Sequence, residues 1–458
     1  MKRNARRRQS SGASLPSLTR RRFLGAAGVA TGYLAGVPYV SCGQRRGKSP
    51  AEILEQADAR IEKHRKGTAA LTLVGPDGQP LRPGTTCRIR QTRHKFLFGC
   101  NIFKLGRCRS PEDNAAYAER FSELLNFATL PFYWWNYERR KGKPDDERTD
   151  EIIRWCRKQN ITMKGHPLAW NYVDPPWLKA TTEEAMRLQM ARIARCVERF
   201  KGDVDIWDVV NEATHYDREQ LVKRAPILTE AISQMGIGAY VRTAFRTARR
   251  ANARATLLIN DYRTDVAYAD KVISELVDSD DKPLYDVIGI QSHMHGVYWG
   301  AARAWEVCEQ HARFGKPLHF TETTVVSGPK KGSNWITTPE GERHQAERVT
   351  EFYTLLFSHP AVEAITWWDF TDQNAWQRAP AGLVRDDMAP KPAYERLHEL
   401  IKGKWWTETN RETDVGDRAT FRGFLGDYAV EAKLGTGQLR GRFTLDKTAE
   451  VPLRVKLT

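Results

Sequence analysis

From residue 96 onward, eight short apolar runs alternate with longer stretches of helical periodicity, and few folds accommodate that rhythm. The runs are Phe96–Ile102, Asn126–Pro131, Thr162–Trp170, Asp205–Glu212, Ala255–Asp261, Asp286–His293, Leu318–Thr324 and Ala364–Phe370. Between them, segments such as Asp150–Gln159 and Glu183–Phe200 carry apolar residues at a 3.6-residue period. The pattern is strand then helix, repeated. Eight such units over roughly 300 residues match a (β/α)8 TIM barrel, an α/β fold.

In that barrel the reactive face is built from the C-terminal ends of the strands, so a polar residue closing an apolar run is a candidate for chemistry. Glu212 closes the fourth run, in Trp207-Asp-Val-Val-Asn-Glu-Ala213, and Glu322 lies near the end of the seventh, in His319-Phe-Thr-Glu-Thr323. Two carboxylates on strand ends, one protonated and one ionised, are the equipment for cleaving a glycosidic bond. A lone strand-end glutamate is more often a surface ion-pair partner. His293-Met-His295 sets two imidazoles on one strand face. No third ligand follows at a fixed spacing, so neither a metal nor a cofactor is expected.

Both glutamates sit inside longer motifs. Gly165-His-Pro-Leu-Ala-Trp170, Trp207–Ala213, Ile259-Asn-Asp-Tyr262, Gly289-Ile-Gln-Ser-His293, Phe320-Thr-Glu322 and Thr366-Trp-Trp-Asp-Phe-Thr-Asp372 with Trp376 run in order, followed by Gly382-Leu383 and Lys391-Pro-Ala-Tyr394. In that order, over most of residues 96–400, they resemble glycoside hydrolase family 10, the β-1,4-xylanase family. The resemblance implies a retaining hydrolase of xylan-type plant polysaccharide. In it Glu212 is the general acid and later the base, and Glu322 is the nucleophile. Glu322 then needs donors that keep it ionised, with His293 a candidate, whereas Glu212 needs a negative charge nearby. Asn211 would bond a sugar 2-hydroxyl, and His166, Trp170, Gln291, Trp368 and Trp376 would line the sugar subsite, the indoles by stacking. Asp208 and Asp261 either brace the barrel mouth or touch substrate. The alternatives are the same mechanism on another β-glycan or an oligosaccharide, or a non-catalytic glycan-binding barrel. A pure binder has no need for the carboxylate pair.

The family pattern is broken after the second strand, where a Glu-Asn pair and a following Lys are usual. Here the segment reads Thr129-Leu-Pro-Phe-Tyr-Trp-Trp-Asn-Tyr-Glu138. Tyr133, Trp134 and Trp135 suggest an aromatic wall instead, which favours stacking over hydrogen bonds to ring hydroxyls. After the third strand, Asn171 and Val173 stand where the family carries histidine and glutamine.

Ahead of the barrel, residues 1–48 read as an export segment: Thr19-Arg-Arg-Arg-Phe-Leu24 followed by the small, apolar Gly25–Val40 is a twin-arginine signal pattern. The expected destination is the periplasm, the cell envelope or the medium. Val40-Ser-Cys42 partly resembles a lipoprotein cleavage box, making Cys42 a candidate lipid anchor and the one expected link to a membrane. Residues 1–50 hold eleven Lys and Arg and no acid, so subtracting 11 from the net +16 leaves about +5 for the remainder. The basic balance is therefore mostly a property of the leader, and no nucleic-acid partner is expected. The expected partner is a polysaccharide or oligosaccharide substrate, and the expected state a monomer. Of the other cysteines, Cys100 and Cys108 form the shortest candidate disulfide loop, with buried free thiols the alternative.

Residues 49–95 read as a helix, Ala51–Lys66, and then as alternating strands paired around Pro76-Asp-Gly78 and Arg82-Pro-Gly84; the barrel is assigned 96–402. In 403–458, Arg418–Tyr428 and Gln438–Leu445 read as further strands. Neither end can bury a core alone. Both are expected to meet beside the barrel as one small accessory β-region, either a structural brace or a carbohydrate-binding appendage.

Overall fold

The computed structural model of the chain describes residues 49–434 and 437–458. The twin-arginine pattern and Cys42 lie outside the described residues. Eight parallel strands close into a barrel: β1 (Leu97–Asn101), β2 (Phe127–Pro131), β3 (Thr162–His166), β4 (Ile206–Asn211), β5 (Thr256–Asp261), β6 (Val287–Met294), β7 (Leu318–Val325) and β8 (Val362–Trp367). Each falls within or overlaps one of the eight apolar runs, because strands covered on both faces are apolar throughout instead of alternating. β8 pairs with β1, with Ala364 opposite Leu97, and this contact closes the ring.

The helices that follow are set by local chemistry. Pro111–Leu124, after β1, starts at Ser110, whose side chain accepts from the Asp113 amide, and has proline in its first turn. Tyr117, Phe121 and Leu124, spaced at four and three, form its buried stripe. Pro339–Ser358, after β7, repeats the device with Thr338 accepting from the Gly341 amide. Trp207 shows how tightly the layers fit: a Cβ added at Gly165 would lie 2.2 Å from its ring.

Both chain ends form the accessory region, although not by the expected pairing. The strands Lys66–Val74 and Thr86–His94 do not pair with each other. The first lies between Arg418–Phe424, antiparallel, and Leu453–Lys456, parallel. The second lies between Glu408–Glu412 and Gly426–Leu434, and the latter also pairs with Gly437–Leu445. The run Arg418–Tyr428 is thus two strands in two sheets. The sheets share one apolar core, including Leu71, Leu73, Ile89, Phe421, Val430 and Leu445.

This region meets the barrel where the strands begin. Thr86–His94 runs directly into β1, Arg93 reaches the Thr162 hydroxyl at the start of β3, and Arg65 donates to the carbonyls of Phe357, His359 and Val362 at 2.6, 2.6 and 2.7 Å. The helix expected at Ala51–Lys66 is two pieces, Pro50–Glu55 and Ala57–Arg65, whose Ile53 and Ile61 join the barrel core. Cys87, Cys100, Cys108, Cys156, Cys196 and Cys308 are all free thiols, so the Cys100–Cys108 disulfide does not form. Among the described residues no helix is long and apolar enough to cross a membrane.

Candidate active site

Glu212 follows the last residue of β4 in a left-handed conformation (φ 57°, ψ 44°), a geometry that a non-glycine residue holds only when its surroundings impose it. Its amide donates to the Asn260 carbonyl at 2.8 Å. Glu322 lies within β7 and, through a register shift after Ile290, stands opposite Gln291 of β6. Both carboxylates are buried, at 7% and 5% exposure. Their environments differ.

Glu322 is surrounded by donors. Asn260 Nδ2 donates to Oε1 at 3.0 Å and His293 Nε2 lies 3.0 Å from Oε2. His293 Nδ1 is 2.9 Å from the Thr324 hydroxyl, so a neutral ring that accepts from threonine can donate to the carboxylate. His166 Nε2 stands 3.8 Å from Oε1. Burial by itself pushes the Glu322 carboxyl up; His166, the His293 bond and the Lys164 charge outweigh it and hold the group below its ordinary value.

Glu212 accepts from Gln291 Nε2 at 3.3 Å on Oε1 and from the Arg218 guanidinium on Oε2. Burial is again the largest influence and here it prevails: against the pull of Arg218, and helped by Glu322 and Asp261, it raises the carboxyl from 4.5 to about 7. The negative neighbour expected from the sequence is present but secondary to burial.

A buried polar lattice fixes the rest. Lys164 Nζ and His166 Nδ1 both lie 2.7 Å from Asp208 Oδ2. Asp208 is therefore a brace that orients the imidazole, and Asp261 is one too, accepting from the amides of Thr214 and Arg263 at 2.9 and 3.0 Å. Asn211 Oδ1 accepts from Asn260 at 2.7 Å and from Gln291 at 3.2 Å, and among the described residues its Nδ2 has no protein partner. Gly289 makes room for this lattice, since a Cβ there would fall 2.6 Å from Asn260 Oδ1.

The aromatic residues divide. Trp376, 41% exposed, sits with its ring 4.5 Å from His293 and 4.9 Å from His295. Trp368 is only 6% exposed and presents edges to Phe103, His166 and His293, which makes it a floor more than a stacking wall. Trp170 stacks on Tyr172 at 4.4 Å and approaches Tyr133, which in turn meets the His166 ring. The expected wall loses one member: Trp134 turns into a separate apolar cluster with Leu178, Ala185 and Leu228 and packs on Trp177. Asn171 ties the β3 loop to Tyr216 and Thr229 at 2.7 and 2.8 Å, so it contacts neither carboxylate.

Sequence reasoning assigned no role to Asn260, Lys164 or Arg218. Asn260 lies inside a quoted motif, and a lysine inside an apolar run was a usable signal for Lys164, because a buried cation needs a buried partner. Nothing marks Arg218. Among the described residues, no group of three or more His, Cys, Asp or Glu is arranged to hold a metal ion.

Residues 103–400, more than half of the chain, match Glycosyl hydrolase family 10. The chain is 27% identical over 400 residues to Endo-1,4-beta-xylanase 2 of Arabidopsis thaliana, covering 84% of this chain and 34% of that protein. It is 25% identical over 416 residues to the anti-sigma-I factor RsgI6 of Acetivibrio thermocellus, covering 87% of this chain and 50% of that one. The chain thus spans half the length or less of these two curated relatives. Xylanase 10B of Thermotoga petrophila RKU-1, solved in complex with xylobiose, superposes with a TM-score of 0.55 at 25% identity, over 68% of this chain and 95% of that structure. With the closed barrel, the two strand-end glutamates and a family match over residues 103–400, the chain belongs to glycosyl hydrolase family 10.

Proposed function

We propose that the protein is a retaining glycoside hydrolase that cleaves β-1,4-xylosidic bonds in xylan-type polysaccharide by double displacement. The observation that carries this reading is the opposite displacement of two buried glutamates in one site: Glu212 raised to about 7, Glu322 held below its ordinary value. At neutral pH one can donate a proton while the other attacks. Glu322 forms the glycosyl-enzyme as Glu212 protonates the departing oxygen, and Glu212 then activates water. Asn211 Nδ2 is free to bond the sugar 2-hydroxyl, a contact that strengthens in the transition state. The xylanase relatives support xylan as the polymer. Tyr133, in a segment that departs from the family pattern, favours a second reading, the same chemistry on another β-glycan.

Glu212→Ala and Glu322→Ala separate the roles. With Glu322→Ala all substrates are lost, and azide in the vacated space returns an inverted glycosyl azide. With Glu212→Ala polysaccharide is barely cut, whereas an aryl glycoside with a good leaving group still forms the covalent intermediate. Release of sugar with inverted anomeric configuration by the parent protein overturns the retaining mechanism, which requires the carboxylates to stand about 5–5.5 Å apart. A panel of soluble β-glycans with sized products tests the polymer. In this reading the leader exports the folded enzyme, and replacing Arg20 and Arg21 by Lys leaves it in the cytoplasm.

A further inference from the structure

Arg218 touches the general acid and has no place in the chemistry described so far. It stands six residues beyond Glu212, just before the helix Glu219–Arg224. Its guanidinium pairs with Glu212 Oε2, lies 5.5 Å from the Tyr262 ring centroid, donates to the His215 carbonyl at 3.4 Å, and is 28% exposed. Neither Arg218 nor Tyr262 contacts Glu322. With Glu212 as the acid, both are taken to flank the departing sugar.

A cation on Glu212 favours the carboxylate, which is the wrong state for the first step. The acid must be neutral when the bond breaks, and at that moment the guanidinium loses its counter-charge. Among the described residues Glu212 is the one carboxylate in ion-pair contact with Arg218. The neighbouring Arg263 is already held by Asp265. A partly desolvated cation without an anion is unfavourable, and a substrate can supply what is missing.

We propose that Arg218 is a specificity-determining residue that takes a carboxylate carried by the leaving group, so that Glu212 binds its proton more readily when such a substrate is seated. The proposal rests on Glu212 being the general acid. No covalent step is added: the guanidinium exchanges one carboxylate for another, and Glu212 takes up one proton from solvent. The charged groups facing Glu212 are then Glu322 from β7 and Asp261 from β5, both of which favour its neutral form.

The test compares 4-carboxyphenyl and 4-carbamoylphenyl β-xylobiosides, which differ in the charge of the leaving group, on parent, Arg218→Met and Arg218→Lys proteins. The parent is expected to favour the carboxylate by about tenfold or more in kcat/KM, the scale of one charge-assisted contact. Arg218→Met abolishes that preference and moves the alkaline limb of the neutral-substrate profile to higher pH. Arg218→Lys restores part of the preference, which a merely structural role would not do. Cleavage of both glycosides with the same ratio in parent and Arg218→Met overturns the proposal and leaves the function standing. No cleavage of either by the parent overturns the proposed xylan-cleaving function, and the proposal with it.

Discussion

Glu212→Gln should stabilise the protein by an amount that grows as pH rises from 4.5 to about 7. The group is buried, and its carboxyl is raised from 4.5 to about 7 chiefly by burial. A carboxyl whose folded-state pKa exceeds its unfolded value binds its proton more tightly in the folded chain. That contribution is fully present below pH 4.5 and is lost as pH rises through about 7. Above that, the unfolded chain has ionised freely while the folded one must hold a buried charge. At about 1.36 kcal/mol per pH unit, the gap corresponds to about 3 kcal/mol. The pull of Arg218 opposes the rise and is already contained in it. Glutamine cannot ionise, yet its amide oxygen can still accept from Arg218. The variant is therefore expected to match the parent at pH 4 and to exceed it by up to about 3 kcal/mol at pH 8, while losing activity on polysaccharide. Urea unfolding followed by tryptophan fluorescence at pH 4, 6 and 8 measures it. A stability difference that does not change with pH, or a parent that is the more stable of the two at pH 8, would refute the reasoning.

Four further changes probe the surroundings. His293→Ala removes a donor from Glu322, so the acidic limb of kcat/KM moves to higher pH and activity at pH 5 falls about tenfold or more; an unchanged limb would show that the imidazole does not hold Glu322 ionised. Trp376→Ala, at an exposed ring, raises KM about tenfold with unchanged thermal stability, whereas Trp368→Ala, at a buried one, also lowers stability by about 3–5 kcal/mol; equal stability losses in the two would contradict their different burial. Lys164→Met leaves Asp208 ionised without its cation and destabilises by about 3–5 kcal/mol, read by denaturant unfolding.

The barrel was legible because each of its strands is covered on both faces, so residues such as Leu257, Leu258 and Ile259 are apolar in succession and stand out from the helices. The accessory region was legible only in part. Alternation in Thr86–His94 reports that one face is buried, and says nothing about which strand lies alongside. The partners of Lys66–Val74 begin more than 300 residues away, at Arg418 and Leu453. Strand-end position exposed Glu212, Glu322 and His293 as site candidates. It misplaced Trp134, whose neighbours Tyr133 and Trp135 stand nearer the cleft, because in the short helix Trp134–Tyr137 successive side chains leave in different directions.

Glu212 and Glu322 are the same amino acid, buried to nearly the same degree, and burial pushes both carboxyls up. What separates them is where the cationic and donor groups converge. On Glu212 there is one arginine, opposed by Glu322 and Asp261. On Glu322 there are His293 from the adjacent β6, and His166 and Lys164 from β3, which is not adjacent to β7 in the ring. His166 reaches Glu322 across the mouth of the barrel, and its orientation is fixed by Asp208 of β4. An open sheet of the same eight strands would keep both glutamates at their strand ends but would carry β3 away from β7, leaving Glu322 without the group that most lowers its proton affinity. Closure of β8 onto β1 is therefore a chemical requirement as well as a structural one: it makes one buried glutamate a base weak enough to stay ionised beside another that keeps its proton.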